Sequence, residues 1–300
     1  MIYRALSLLI CALACSVAAF AQNSRSAVSV AGNDANTCVV SSPCRSFAKA
    51  ITVTNAGGEI IALDSGGYGP FVIDRAISVR PAPGAYAGIT VTSGDGIDVS
   101  AGSSDDVILR GITVNGLGGN VGIYYLNGHS LVLENCAVDG MSNVGIVTVV
   151  RDRLFLSHTT VTGCGSSGIQ VGNGGSTIYA TIVNSSVDNN GNGVSVYQGG
   201  NVTIANSTLS NNMDGLTVYA PNAATDANAV VESSTISGNS LGISTSATAG
   251  TATVRVSNCT ITHNITGIAS SGSGQNLSRS NNTLRINGTN GAFDGTFAAD

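Results

Sequence analysis

Residues 201–211 read NVTIANSTLSN and residues 228–239 read NAVVESSTISGN, and each string is followed a few positions later by a Gly and an aliphatic residue, Gly215-Leu216 and Gly242-Ile243. Apolar residues recur at every second position on either side of a short polar break, which is the period of a half-buried strand rather than of a helix. The same pattern recurs as VILRGITVNG, LVLENCAVDG, LFLSHTTVTG, ATIVNSSVDN, VRVSNCTITH and LSRSNNTLRI. Taking the residue at the break as a marker gives Gly111, Asn135, His158, Asn184, Asn206, Ser233, Asn258 and Asn281, spaced by 24, 23, 26, 22, 27, 25 and 23 residues.

A unit of two or three short strands cannot bury its apolar face alone, so successive units must stack and pair with the units before and after them. The expected fold is all-β, a parallel β-helix solenoid of about ten coils counting residues 60–104. At roughly 4.8 Å per coil the rod is near 50 Å long. Coil lengths this irregular favour the right-handed type over a strict hexapeptide type. Alternation directs Cys136, Val138, Val161, Val187, Leu209, Ile236, Cys259, Ile261 and Leu284 inward. It directs Thr113, Ala137, Thr160, Ser186, Thr208, Thr235, Thr260 and Thr283 outward. Asn tolerates left-handed backbone and its amide can bond the equivalent residue one coil away, so the marker column reads as a structural ladder.

The composition fits such stacking. Of 300 residues, 39 are Gly and 28 are Asn, while Lys and Arg number 12, Asp and Glu 17, and the net charge is -5. So few scattered cations cannot neutralise a phosphate backbone, which excludes nucleic acid as a partner. A hydrophobic share of 43% excludes a disordered chain. At the N-terminus Arg4, an apolar run from Ala5 to Ala21 and the closing Ala19-Phe20-Ala21 have the form of a bacterial secretory leader cleaved after Ala21. No later run has the length of a membrane span. The expected organisation is a leader over 1–21, a cap over 22–59, the β-helix over 60–292 and a tail over 293–300, with export to the periplasm, the cell surface or the medium. In that oxidising setting Cys38 and Cys44 are expected to close a small disulfide loop. Cys136 and Cys259 share a register five coils apart, beyond disulfide reach, and with Cys164 at a turn they are expected to be free thiols.

The segment before the repeats carries its own pattern. Arg45 to about Val53 has the spacing of a short amphipathic helix, with Phe47, Ala48 and Ile51 on one side, suited to covering the open end of the stack. The strings Val28-Ser-x-x-Gly-Asn-Asp-Ala-Asn-x-Cys38, Pro43-Cys-x-Ser-Phe-x-x-Ala-Ile51, Ala56-Gly-Gly-Glu-Ile60 and Gly66-Gly-Tyr-Gly69 resemble the secreted bacterial right-handed parallel β-helix repeat proteins of the pectin-lyase-like superfamily. The resemblance covers essentially the whole chain after the leader. It implies a β-helix and an association with polysaccharides; the superfamily includes lyases, hydrolases, epimerases and members without an assigned activity, so the fold alone names no reaction.

The resemblance also says what chemistry to look for. Lyases of that superfamily use a Lys or Arg base, often with calcium held by carboxylates, yet the single lysine, Lys49, falls in the expected cap helix. Hydrolases of that superfamily carry N-T-D, D-D, G-H-G and R-I-K motifs, whose nearest strings here are Asn127-Gly128-His129, Asp105-Asp106 and Arg285-Ile286-Asn287, none in matching context. Asp139 and Asp188 share an outward register two coils apart, roughly 10 Å, and form the best candidate pair for glycoside chemistry. No cofactor is expected; Asp95, Asp98, Asp105 and Asp106 form the densest acidic group and are read as turn formers in Gly/Ser loops, with Ca²⁺ the alternative that their carboxylates offer. Arg110, Arg151, Arg153, Arg255, Arg279 and Arg285 are read as turn charges. Tyr197 and Tyr219 are expected to stack on adjacent coils as an exposed aromatic platform, with Tyr124 at a neighbouring outward position.

The expectation is therefore an exported, non-enzymatic β-helix protein with a surface or carbohydrate-binding role. A polysaccharide lyase or glycoside hydrolase acting on an acidic glycan is the alternative.

Overall fold

In a computed structural model the described residues are 22–149, 153–172, 176–222 and 225–298; the expected leader over 1–21 lies outside them. The chain winds into a parallel β-helix with three strand ladders, all strand pairing between successive turns being parallel. The first ladder runs through Asp106–Arg110, Ser130–Glu134, Arg153–Ser157, Ile178–Val183, Gly200–Ala205 and Ala227–Glu232. The second is a ten-stranded sheet of short strands such as Ala137–Asp139, Ser186–Asp188 and Thr208–Ser210. The third includes Val121–Asn127, Val144–Thr148, Ser167–Val171, Asn192–Tyr197 and Asp214–Ala220. Strands at the ends of the second sheet shrink to two residues, Gly66–Gly67 and Thr283–Leu284. The expectation of about ten coils is thus corrected to about eight full turns between two truncated rungs.

Each ladder contributes an aliphatic column to the interior. In the first ladder Leu109, Leu133, Leu156, Ile182, Ile204, Val231 and Val256 pair in register and are fully buried. In the second, Val138, Val161, Val187, Leu209, Ile236 and Ile261 do the same, as alternation predicts, while Leu284 in the truncated last rung is only half-buried. The hydroxyl column from Thr113 to Thr283 faces out in matching register. One close approach demands glycine. A Cβ on Gly145, Gly193 or Gly242 would sit 2.6, 2.5 or 2.3 Å from the carbonyl oxygen of the glycine one turn on, which explains the Gly at the second position of these third-ladder strands.

The marker residues do bend the chain: Asn135, His158, Asn184, Asn206, Ser233 and Asn258 have φ between 49° and 53°, the left-handed region. In the last rung the bend falls on Ser280 rather than Asn281, whose Oδ1 instead accepts from the Asn258 amide. The main amide ladder lies six residues further on, a correction to the expected column. Asn190, Asn212, Asn239 and Asn264 are buried; the Oδ1 of Asn212, Asn239 and Asn264 accepts from the backbone and side-chain amides of the Asn one turn before it, Asn287 takes the same part for Asn264, and Asn190 Oδ1 accepts from the Cys164 amide. Their Nδ2 groups donate to strand carbonyls such as Leu209 O at 3.1 Å. A parallel hydroxyl ladder follows the bends, Ser185 Oγ accepting from the Thr159 amide and Ser207 Oγ from the Ser185 amide.

The cap comprises β1 (Asn23–Val28), α1 (Phe47–Val53) and β2 (Thr54–Ala62); β1 pairs in parallel with β2 and so adds a rung to the first ladder. Phe47, Ala50 and Ile51 of α1 are buried, whereas Ala48, expected on that side, is exposed. Phe47 packs against Tyr68 and Phe71 at 5.1 Å between ring centroids. The Cys38–Cys44 disulfide closes the loop before α1. Asp34 ties that loop to the helix by accepting from the Arg45 and Ser46 amides and the Ser46 hydroxyl. The residues that carried the family resemblance therefore fold the cap.

Replacing Asn239 by Ala orphans the Asn212 amide and the Leu209 carbonyl, and should cost about 2–3 kcal/mol in denaturant unfolding. Replacing the exposed Asn206 by Gly, which accepts the same backbone angle, should cost only a few tenths. Cys136, Cys164 and Cys259 are buried free thiols, and burial pushes Cys136 and Cys164 up to about 11 and Cys259 in the same direction. These three should resist a thiol reagent at neutral pH in the native protein and react only on unfolding.

Candidate functional site

The outward side of the third ladder carries the aromatic residues anticipated from the repeat. Tyr197 and Tyr219 pair in register on adjacent turns, with ring centroids 6.4 Å apart and planes at 81°. They form an edge-to-face pair rather than a flat two-ring platform, the arrangement that ring quadrupoles favour. One turn earlier the equivalent position is Gly172, whose missing side chain leaves space below Tyr197. A Cβ at Gly172 would lie 2.6 Å from the Tyr197 carbonyl oxygen. The result is an open groove of about 300 Å³ lined by Gln170, Gly172, Tyr197, Gln198, Tyr219, Pro221 and Asn222. Buried Gln198 donates to the Asn222 carbonyl at 2.7 Å and accepts from the Asn222 side chain at 3.3 Å, which fixes the groove wall.

Tyr124 is not part of this groove. Its register runs to Val147, Gln170 and Ser195, three turns from the Tyr197 rung, roughly 14 Å at the rung spacing. It packs instead on a satellite apolar cluster of Val121, Val144 and Val147.

Asp139 and Asp188 do stand two turns apart in one column with Thr162 between them. Asp188, however, accepts from the Ser186 and Ser210 hydroxyls and the Ser210 amide, so its carboxylate braces two rungs. The four acidic candidates for calcium do not converge. Asp95 accepts from Asn120 and the Val121 amide, Asp105 from the Gly102 amide, and Asp106 binds His129 and Ser130. Among the described residues no group of three or more His, Cys, Asp or Glu is placed to hold a metal. The donor set thus does not fit the calcium that the family resemblance raised. Asp98 is the exception in character: one of its carboxylate oxygens is buried without a hydrogen-bond partner, and burial, reinforced by the charge of Asp95, raises its pKa.

A second groove, which the repeat arithmetic missed, lies on the outward side of the first ladder. It has a volume of about 340 Å³ and is lined by Tyr179, Thr181, Asn201, Thr203, Asn228, Val230 and Arg255 with adjoining backbone. Tyr179 is 58% exposed. Among the described residues Arg255 has no ion-pair partner, whereas Arg110 is paired with Glu134. The signal was present as outward positions of the strands Ile178–Val183 and Gly200–Ala205, but only the pairing shows that residues three turns apart line one surface. Arg151 lies outside the described residues.

The sequence profile of the family described as right handed beta helix region matches residues 49–209 and 151–284. A search of curated proteins finds no match to the sequence. Among solved structures, XylC in complex with xylose has a TM-score of 0.65 at 10% identity, over 85% of this chain and 68% of that one. The pectate lyase Pel9A has a TM-score of 0.57 at 16% identity, over 87% and 69%. An alginate lyase from Paenibacillus sp. str. FPU-7 has a TM-score of 0.50 at 12% identity, over 87% and 100%. At these identities the likeness is one of fold.

The raised pKa of Asp98 has a measurable consequence. A carboxyl group that is harder to ionise when folded costs nothing while protonated in both states, and the cost appears as pH rises from its unfolded value of about 3.8 through its folded one. Asp98→Asn should therefore raise the unfolding midpoint at neutral pH, and the gain should vanish below about pH 3.8.

Proposed function

The chain belongs to the right-handed β-helix family, and from that premise we propose that it is an exported, non-enzymatic protein that binds a polysaccharide along its side. The observation that carries this reading is the register pairing of Tyr197 and Tyr219 over a groove whose other side chains are the amides of Gln170, Gln198 and Asn222 and the ring of Pro221. A sugar ring presents an apolar C–H face and a rim of hydroxyls. An exposed tyrosine face takes the former, and Gln170, Asn222 and the tyrosine hydroxyls can exchange hydrogen bonds with the latter. No charged side chain lines this groove, so the favoured ligand is a neutral glycan. The Cys38–Cys44 disulfide and the leader-like run ending at Ala21 support export.

One observation favours a second reading. The unpaired Arg255 beside exposed Tyr179, with Asn201 and Asn228 alongside, suits a carboxylate-bearing sugar and so an acidic polysaccharide as substrate of a lyase or hydrolase.

The two readings separate in one set of measurements. On a panel of neutral and uronate-containing polysaccharides, the binding reading expects affinity for a neutral glycan that falls about tenfold or more in the Tyr197→Ala, Tyr219→Ala double variant, by loss of stacking. It expects no unsaturated products or new reducing ends, with or without Ca²⁺. Turnover of an acidic glycan that is lost in Arg255→Ala, with the tyrosine variant unaffected, would replace it with the second reading.

A further inference from the structure

A cavity of about 500 Å³ lies at the capped end of the rod, away from both side grooves. It lies between the start of β1, the segment leading into Cys38 and α1, and is lined by Gln22, Asn23, Asn36, Thr37, Lys49 and Thr52 together with apolar Ala35 and Val53. Lys49 is the single lysine of the chain and is half-buried here. Among the described residues no carboxylate lines the cavity and the Lys49 ammonium has no ion-pair partner. A half-buried cation without a counter-charge is an unsatisfied electrostatic element that an anionic ligand would complete.

The neutral lining narrows the ligand further. Asn23 directs its side-chain N–H groups to Ser26 Oγ and to the Thr37 carbonyl, and Asn36 donates to the Pro43 carbonyl. Their Oδ1 atoms are left without a protein donor among the described residues. Thr52 likewise donates its hydroxyl to the Lys49 carbonyl and keeps only acceptor capacity. The cavity thus offers the Lys49 ammonium, joined by the α-ammonium of Gln22 once the leader is removed, and several acceptors, which calls for a molecule with a carboxylate and several hydroxyl donors. We propose that the cap cavity binds a small polyhydroxylated carboxylate, its carboxylate on the Lys49 ammonium and Thr37 hydroxyl and its hydroxyls on Asn23, Asn36 and Thr52. This site is independent of the tyrosine groove and takes a free small molecule or a chain end rather than the middle of a polymer.

The test is calorimetric titration of the whole protein with D-gluconate, and with D-glucitol as the same polyol without the carboxylate. Gluconate should bind at least about tenfold more tightly than glucitol, the scale of one charge-assisted contact. Lys49→Gln should remove most of that difference, Lys49→Arg should keep it, and the Tyr197→Ala, Tyr219→Ala variant should bind gluconate as the unaltered protein does. Thermal unfolding of each variant identifies any loss due to misfolding, and in that event the gluconate-to-glucitol ratio of the unaltered protein decides alone. Equal binding of the two probes, no binding of gluconate, or full binding by a folded Lys49→Gln protein would overturn the proposal.

Discussion

Every strand in this protein finds its hydrogen-bond partners one turn away. The strands are too short to be stable alone, and their backbone amides and carbonyls point along the rod axis, so a turn exists only because another lies on each side of it. Parallel pairing at a constant rung spacing then sets the remaining requirements. Side chains one turn apart come to lie directly over one another, which explains why aliphatic columns, hydroxyl columns and an amide ladder each keep to one residue class. The glycine column follows as well, because third-ladder strands approach the next turn so closely that a Cβ would meet a carbonyl oxygen.

The corners are where such a fold must spend polar groups inside. At the second-to-third ladder corners of Asn212, Asn239 and Asn264 the buried Asn meets the backbone and side-chain amides of the Asn one turn before it and a strand carbonyl, leaving little of its capacity unused. A satisfied buried amide stack stabilises and also fixes register, since a slip by one residue would orphan every member at once. The low charge of the chain is the counterpart of this design. Outward columns are built from Thr, Ser and Asn, and the acidic residues that do face out, such as Asp188 and Asp106, are used as braces between rungs.

Such a rod leaves its sides uniform, so any special feature stands out where a column changes class. Tyr197 and Tyr219 interrupt a column otherwise occupied by Gly172 below and Ser246 above, and that interruption creates the groove. On another side Tyr179 stands in a column continued by Asn201, Asn228 and Thr253, and Arg255 stands between Val230 and Leu277. The capped end differs in kind, because there a helix and a disulfide-closed loop, not rungs, decide which groups meet, and the one lysine is placed among amides without an acid nearby.

Much of this was legible in the residues themselves. The period of about two dozen residues, the inward column from Val138 to Ile261, the outward Tyr197–Tyr219 pairing, the disulfide and the three free thiols all follow from alternation, spacing and the left-handed tolerance of Asn, properties local to each turn. What alternation could not supply was which of two Asn columns is buried, since a side chain at a corner can face either way and only the packing of neighbouring turns resolves it. Nor could it show that Tyr124 sits on a valine cluster three turns from Tyr197, that the four Asp residues diverge, or that Tyr179 and Arg255 share a groove. By itself the sequence determined the solenoid, because a repeating pattern has one way to bury itself. The tertiary structure alone decided which exposed side chains converge, because their meeting depends on the register and curvature of many turns summed together.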